Sequence, residues 1–527
     1  MIPRECKRLA EVDFPIAVVG RHSAREKSIR RGHPSTLHLW WARRPLAACR
    51  AMLMALLLPD PADAHCPADF RSGAAKALLE LPSAPQRWRK EVKTGEGLRA
   101  ALLQFIGDFS NWDVSTDAAH LKTARALVKA AHGDETPLVV DPFAGGGSIP
   151  LEALRIGCDA SASDLNPVAC LISKVMVEDI PRHGSKLAQG LREVGKDVRV
   201  EAEKQLKEFY PDGPDGSTPI AYLWARTVRC ESVGCGAEIP LVRSFWLCKK
   251  ASRRRALRWR IVKMKGHAPV VDFEIFTPKS ERDVQAGTVA RARATCLACG
   301  VVLPPDAVRA QLRSQHGGGD VQFDKRGRRV GGARLLSVVT LSGQGEGRDY
   351  RLASDKDYAV VWNAQARLAT TQPDLPTETL PFMSGTFNVP LYGMNRWEDV
   401  FTARQKVFLS TLASLCASKN LAGGLAEHLA LVCSRMANAS TALCRWHNSG
   451  EKLEGLFSRQ AIGMVWDFAE GNPLSDATGG LAGALDWVLG VLTCLSPAIV
   501  NCGQVVQADA RSSPLPDESV SAWFTDP

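Results

Sequence analysis

The chain of 527 residues has room for more than one domain, and its 45% apolar and 23% charged residues exclude a disordered or fibrous chain. Lys+Arg 66 against Asp+Glu 56 leaves a net charge of +10, which favours a polyanionic partner without establishing one. Glu5, Glu11 and Asp13 leave no apolar centre for a signal peptide, and the runs near Leu46–Leu58 and Trp487–Val500 are too short for a membrane span, so no membrane partner is expected. Fifteen scattered cysteines do not read as a disulfide framework; a reducing cytoplasm, with some thiols buried and some ligating metal, fits better.

Residues 1–60 form a basic and aromatic N-terminal segment. Arg21, Arg25, Lys27, Arg30 and Arg31 lead into His33-Pro34-Ser35-Thr36-Leu37-His38-Leu39-Trp40-Trp41-Ala42-Arg43-Arg44-Pro45. Arginines of this kind meet phosphates, and paired tryptophans stack on bases. The plain alternative is a basic loop followed by a helix that buries one tryptophan. Residues 61–136 read as irregular stretches with amphipathic helices, such as Leu98–Phe105 and Ala118–Ala131, packed against the first strand.

Residues 137–180 carry the pattern around which the chain is organised. Leu138 to Val140 is a short apolar, β-branched run, read as a buried strand. Gly145-Gly146-Gly147 follows, then Ser148 as the N-cap of a helix with Pro150 in its first turn and Gly157 as its stop. Glycines at a strand-to-helix turn admit a ligand close to the backbone, and the helix start offers free N–H groups. A second strand ends at Asp164, roughly 20 residues on, where an acidic side chain suits ribose hydroxyls. A dinucleotide fingerprint is excluded, because Pro150 stands at its third glycine position. Asn166–Val177 is expected to be the next helix.

Pro181 opens an insertion that starts with a Lys/Glu-rich helix to Phe209. Within residues 181–345 stand two cysteine pairs closed by glycine, Cys230 with Cys235-Gly236 and Cys296 with Cys299-Gly300. Four such thiolates suit a closed tetrahedral zinc site. The first pair is C-x₄-C, and the pairs lie 60 residues apart against the usual 15–20, so two unrelated buried pairs are the alternative, with Cys248 a spare ligand. Lys249 to Arg260 reads either as a grip on a phosphate backbone or as a solvated basic strand. Residues 310–350, rich in glycine and arginine, read as loop or linker.

Residues 346–500 read as mainly helical, with Met394–Phe401 opening a long helix. Leu443-Cys444-Arg445-Trp446-His447 and Phe457–Phe468 are clusters of aromatic and polar residues, and Cys444-x-x-His447 is more simply core packing than a metal site. In residues 501–527 a third strand ends near Asp509 and a fourth runs from Val520 to Thr525, before Asp526-Pro527.

Asp141-Pro142-Phe143-Ala144-Gly145-Gly146-Gly147, followed by Ser163-Asp164-Leu165-Asn166-Pro167, resembles two motifs of the S-adenosylmethionine-dependent amino-methyltransferases that act on exocyclic amines of DNA bases. Asp526-Pro527 resembles the start of that family's Asp-Pro-Pro-Tyr loop. The His33–Pro45 stretch is similar to the N-terminal signature of bacterial adenine-specific DNA methylases that carry a zinc ribbon. The aromatic clusters at 443–447 and 457–468 resemble recurring stretches of the same group, and lining the target-base pocket is one reading of them.

The resemblance implies an α/β fold: a Rossmann-like methyltransferase sheet, incomplete with its first four strands, carrying a large insertion with a zinc-ribbon module and a helical region. It implies S-adenosylmethionine held by Asp141, Phe143, Gly145 and Gly147 at the methionine part, Asp164 at the ribose and Asp509 near the adenine. Zinc would be structural, on Cys230, Cys235, Cys296 and Cys299. The Asp526 carboxylate and the Pro527 carbonyl would accept hydrogen bonds from the target amine, and a base flipped out of the duplex would receive the methyl group. DNA is the expected partner, with RNA as the lesser alternative. The second proline, the tyrosine and the later strands of the family are not in the chain, so a truncated chain that needs a C-terminal half or a complementing subunit is expected. The rival readings are a zinc-containing nucleic-acid-binding protein without catalysis and an RNA base methyltransferase.

Overall fold

The computed structural model describes residues 2–213, 215–263, 265–341, 347–419, 421–513 and 515–526. Its residues group into two compact units, Met1–Glu193 with Leu421–Leu431 and Trp487–Pro527, and Val194–Asn420 with Val432–Asp486. The fold is mixed α/β with several separate sheets, one of them parallel and four-stranded.

In the first unit Leu138–Asp141 (β1) and Asp159–Asp164 (β2) pair in parallel, Gln504–Gln507 (β3) joins β2, and Ala522–Trp523 (β4) joins β1. The order is therefore 3-2-1-4, with every pairing parallel. The β-branched Val139 and Val140 are buried in the centre, as their sequence leads one to expect.

The helices Ile16–Glu26 (α1), Leu46–Leu57 (α2), Gly95–Phe109 (α3) and Ala118–His132 (α4) precede the sheet, and Ser148–Arg155 (α5) and Pro167–Lys174 (α6) follow β1 and β2. The two amphipathic stretches read from sequence fall within α3 and α4. One expectation is corrected at α5: Gly147, not Ser148, is its N-cap, because the left-handed conformation there suits only glycine easily. Asn166 caps α6, accepting from the Val168 N–H at 2.9 Å. The chain then widens to a π-helical turn over Val175–Asp179 before the long helix Ile180–Leu206.

A buried ionic network ties α2 to α5. Arg50 Nη1 donates to Glu152 at 2.8 Å and Arg155 Nη1 donates to the same carboxylate at 2.6 Å, all three side chains being 0% exposed. The other Arg50 nitrogens reach the Phe109 and Ser110 carbonyls, and Arg155 reaches the Ser115 carbonyl. Pairing and hydrogen bonding offset the cost of burying these charges, although Arg155 Nε is left without a partner among the described residues.

The second unit is built on the long strand Pro219–Arg229, which pairs antiparallel with Arg334–Leu341, Asp467–Gly471 and Glu238–Leu241. Two expectations fail here. The described part of 310–350 is not loop throughout: Arg334–Leu341 is a central strand whose Leu335 to Thr340 are all buried, and Arg348–Arg351 pairs beside it. Arginine and glycine dominated its composition and hid an apolar, β-branched run. Residues 346–500 do contain long helices, but Asp467–Gly471 is sheet, and the Met394 stretch makes one 3₁₀ turn at Trp397–Val400. The helix Ala403–Ala417 starts only after Thr402, whose capping box with Gln405 sets its beginning.

Arg255–Val262 is a strand whose exposed Arg258 and Arg260 pair with Glu274 and Asp272 on the neighbouring strand Val270–Phe276. Among the described residues one segment, Leu481–Ala498, is long and apolar enough to cross a membrane by length and composition. It reaches that length because its helix begins upstream of Trp487, and Val488, Val491, Leu492 and Leu495 along it are buried within the protein.

Candidate active site and candidate metal centre

The carboxyl ends of β1 and β2 converge on the glycine turn. Asp164, closing β2, accepts from the Gly145 N–H at 2.9 Å and from the Asn166 N–H at 2.8 Å. Asp141, closing β1, is 2% exposed and accepts from the Phe143 N–H and the Thr525 hydroxyl. Burial, partly offset by those two donors, raises its carboxyl to about 6.

Three side chains crowd the three glycines. A Cβ on Gly145 would meet the Trp40 indole nitrogen at 2.8 Å, one on Gly146 the Arg43 guanidinium at 3.0 Å, and one on Gly147 the Met176 methyl at 2.8 Å. Gly145 and Gly147 also sit at φ of +49° and +70°, so close packing and backbone conformation select glycine together. The N-terminal segment is thus part of the turn's surroundings. Ser148 Oγ fastens it further by donating to the Arg44 carbonyl at 2.8 Å. Neither tryptophan is buried in a helix: Trp40 lies half-buried over Gly145, Trp41 is exposed, and α2 begins only after Pro45.

One cleft of about 210 Å³ is lined by Trp40, Arg43, Arg44, Asp141, Phe143, Gly145, Ser148, Asp164 and Asp526, among others. Asp526 is engaged there by Arg44, whose Nη2 donates to Oδ1 at 2.5 Å. Arg43 is the anomaly. All three of its guanidinium nitrogens are closed to solvent without a hydrogen-bond partner, and burial lowers it to about 10. Buried donors are nearly always satisfied, so an orphaned guanidinium beside a glycine turn could hold an anionic group.

Asp141, Phe143, Gly145, Asp164 and Asp526 thus come together, with Gly147 in the same turn. Asp509 does not line this cleft. It lies beyond β3 in an adjoining hollow with Val140, Ser163 and Trp523, and holds Arg511 through both a main-chain and a side-chain hydrogen bond. Pro527 lies outside the described residues. Sequence reasoning did not assign Arg43, Arg44, Trp40 or Thr525 to the cleft; the Trp-Trp-Ala-Arg-Arg run was conspicuous, but only the fold shows which surface it meets.

The cysteine pairs occupy the turns of two antiparallel hairpins, Pro219–Arg229 with Glu238–Leu241 and Arg293–Thr295 with Val302–Leu303. The four Sγ atoms of Cys230, Cys235, Cys296 and Cys299 lie within 4.8 Å of one another. Cys230 and Cys299 are 3.5 Å apart and Cys235 and Cys296 3.8 Å, against about 3.8 Å for thiolates at tetrahedral corners about 2.3 Å from zinc. The Val301 N–H draws the Cys299 thiol downward, while burial pushes Cys230 up. Four cysteines this close could hold a metal such as zinc. Cys248, the spare ligand, is not in the cluster, and Cys444 is buried with its thiol turned to the Asn438 and Ala439 carbonyls.

A family described as "Protein of unknown function (DUF1156)" matches residues 13–79. The matched stretch includes His33, Trp40, Arg43 and Arg44, and so the segment that packs on the glycine turn. No curated protein and no solved structure matches the chain.

Proposed function

We propose that this chain binds S-adenosylmethionine at the glycine turn and acts as an amino-methyltransferase on an exocyclic amine of a DNA base, adenine N6 foremost. One observation carries the reading: at the carboxyl ends of a parallel sheet ordered 3-2-1-4, the glycine turn, Asp141, Asp164 and Asp526 line a single cleft. That order matches the first four strands of a Rossmann-like, doubly wound sheet, in which ligands sit outside the strand ends.

The donors and acceptors present fit the cofactor. Asp164 would take ribose hydroxyls, Asp141 and Phe143 would flank the methionine part, and the unpaired Arg43 suits its carboxylate. Asp509 would approach the adenine amine from the adjoining hollow. S-adenosylmethionine would supply an electrophilic methyl group. Once released from Arg44, the Asp526 carboxylate would accept a hydrogen bond from the target amine and fix the direction of its lone pair. Trp40 over Gly145 would keep water from one side of the cleft. The four-cysteine cluster is read as a structural zinc-ribbon site, and the exposed Arg21, Lys27, Arg30 and Arg31 as phosphate contacts.

The test is binding of S-adenosylmethionine by calorimetry, followed by transfer of a labelled methyl group to unmethylated DNA and identification of the modified base. Affinity for DNA should fall steeply with salt. Asp526→Asn should abolish transfer and leave cofactor affinity within about twofold. Equal labelling of competing RNA would redirect the substrate. The Arg44–Asp526 pair favours one second reading, a zinc-containing nucleic-acid-binding protein without catalysis. Salt-sensitive DNA binding with no affinity for S-adenosylmethionine would establish it.

A further inference from the structure

Beyond the four clustered cysteines, two others form a pair of their own. Cys416 stands in the last turn of the helix Ala403–Ala417, and Cys433 lies midway along the helix Leu425–Ala439. Their Sγ atoms are 3.6 Å apart, with Cys433 Sγ donating to Cys416 Sγ. Both are free thiols of the second unit, and both are partly open to solvent.

Two thiols in contact can be packing, a metal site or a redox pair. Packed thiols are shielded, as Cys444 is, buried with its sulfur turned to the Asn438 and Ala439 carbonyls. Cys416 is not shielded in that way, since Ser414, Ala417 and Ser418 beside it are exposed. A closed metal site needs further ligands. Among the described residues, the four-cysteine cluster is the one place where three or more potential ligand side chains gather closely. A disulfide needs only the two sulfurs. Closing them from 3.6 Å to a bonded distance of about 2.05 Å moves each by less than about 1 Å, which side-chain rotation can supply.

The two thiols are not equivalent. The hydrogen bond from Cys433 first, and the charge of Lys419 as well, draw the Cys416 thiol below its ordinary range against the opposing effect of burial. They also act against the carbonyl end of the helix, which disfavours a thiolate. The same contact, together with burial, pushes the Cys433 thiol up. Cys416, in the exposed last turn, is therefore placed as the nucleophile and Cys433 as the thiol that resolves it.

We propose that Cys416 and Cys433 form a redox site that reduces a hydroperoxide and closes to an intramolecular disulfide. The Cys416 thiolate attacks one peroxide oxygen, so that an S–O bond forms as the O–O bond breaks. The departing alkoxide or hydroxide takes up the proton that Cys416 released. The Cys433 sulfur then attacks the sulfenic sulfur, an S–S bond forms, and hydroxide leaves as water with the Cys433 proton. Two thiols and one hydroperoxide thus become one disulfide, one water and one alcohol or second water, with the sulfur pair losing two electrons. Reduction by a dithiol restores the pair, so the site reports peroxide where thiols are otherwise kept reduced. It does not depend on the cofactor reading.

The test uses the full chain, purified reduced and without chelator, then treated with a small excess of hydrogen peroxide and mapped by alkylation and peptide mass spectrometry. A peptide pair joining Cys416 to Cys433 should appear, two hydrogens lighter than the reduced peptides, and should be lost again with dithiothreitol. The linked chain should melt at a higher temperature, because the bond restricts the unfolded chain. In the reduced protein Cys416 should alkylate at least about tenfold faster than the buried Cys444. Cys433→Ser should leave a sulfenic acid on Cys416 that dimedone traps, whereas Cys416→Ser should remove both the link and the trapped adduct. Mapping of the parent chain needs no variant, so it decides the matter even where a variant misfolds. No link after peroxide, a link confined to the four clustered cysteines, or trapping of Cys433 ahead of Cys416 would overturn the proposal.

Discussion

Arg44 and Asp526, 482 residues apart in the chain, close on one another at the glycine-turn cleft, with Arg44 Nη2 donating to Asp526 Oδ1 and its Nε meeting Oδ2. Both side chains are nearly half exposed, so the pair contributes little to stability while occupying both carboxylate oxygens. Arg44→Gln should change the unfolding free energy by less than about 1 kcal/mol in urea titration. A loss of several kcal/mol would show the pair to be structural instead.

Asp141 sets a pH dependence. Its carboxyl is raised from 3.8 to about 6, chiefly by burial, so the folded chain holds this proton more tightly than the unfolded one. The stability gained is complete below 3.8 and is lost as the pH rises through about 6. Asp179, raised to about 6 by burial first and then by Glu427, loses stability over the same window. Asp141→Asn cannot ionise and keeps an oxygen for both donors. Calorimetry should find it more stable than the parent at pH 7.5, on the order of 1–3 kcal/mol, with the difference gone near pH 4. A difference independent of pH would contradict the assignment.

Gly147 tests the crowding at the turn. Its φ is +70°, and an added Cβ would lie 2.8 Å from the Met176 methyl and 2.9 Å from Ser173 Oγ. Gly147→Ala should cost about 2–4 kcal/mol in denaturant titration and abolish binding of S-adenosylmethionine. A cost under about 1 kcal/mol would mean that packing around Gly147 yields.

Removing Glu152 strands two buried guanidinium groups, those of Arg50 and Arg155. Glu152→Ala should destabilise the first unit by about 3–5 kcal/mol in denaturant titration. A cost under about 1 kcal/mol would mean that water or another carboxylate reaches the arginines.

The cysteine cluster predicts about one zinc per chain in protein purified without chelator. Cobalt substitution should produce thiolate-to-metal charge-transfer absorption, and Cys296→Ser should weaken it while lowering the melting temperature of the second unit. Absence of bound metal in the reduced protein would leave the cluster as packed thiols.

The legibility of the chain varies with the range of the interactions involved. Leu138 to Asp164 was readable because strand, glycine turn and helix are local patterns, enforced by β-branching, positive φ and capping over a few residues. The cysteine pairs were readable in the same way, since each sits in its own hairpin turn, although 60 residues separate them. Arg334–Leu341 was misread because strand pairing is non-local: its partner lies at Pro219–Arg229, and composition alone favoured a loop. Ser148 is the first helical residue and Gly147 the N-cap because the chain enters the helix through a left-handed backbone at Gly147, and the Ser148 hydroxyl is spent on the Arg44 carbonyl, a partner that tertiary packing supplied.

By itself the sequence determined the glycine turn, the acidic ends of the first two strands, the four metal-competent cysteines and the basic, aromatic character of residues 21–45. Only the tertiary structure decided that Trp40 and Arg43 lie on that turn, that Arg44 holds Asp526, and that Asp509 faces an adjoining hollow. Turns and caps are fixed by neighbours in the chain. Clefts are fixed by side chains hundreds of residues apart, whose meeting depends on how whole elements bury their apolar faces.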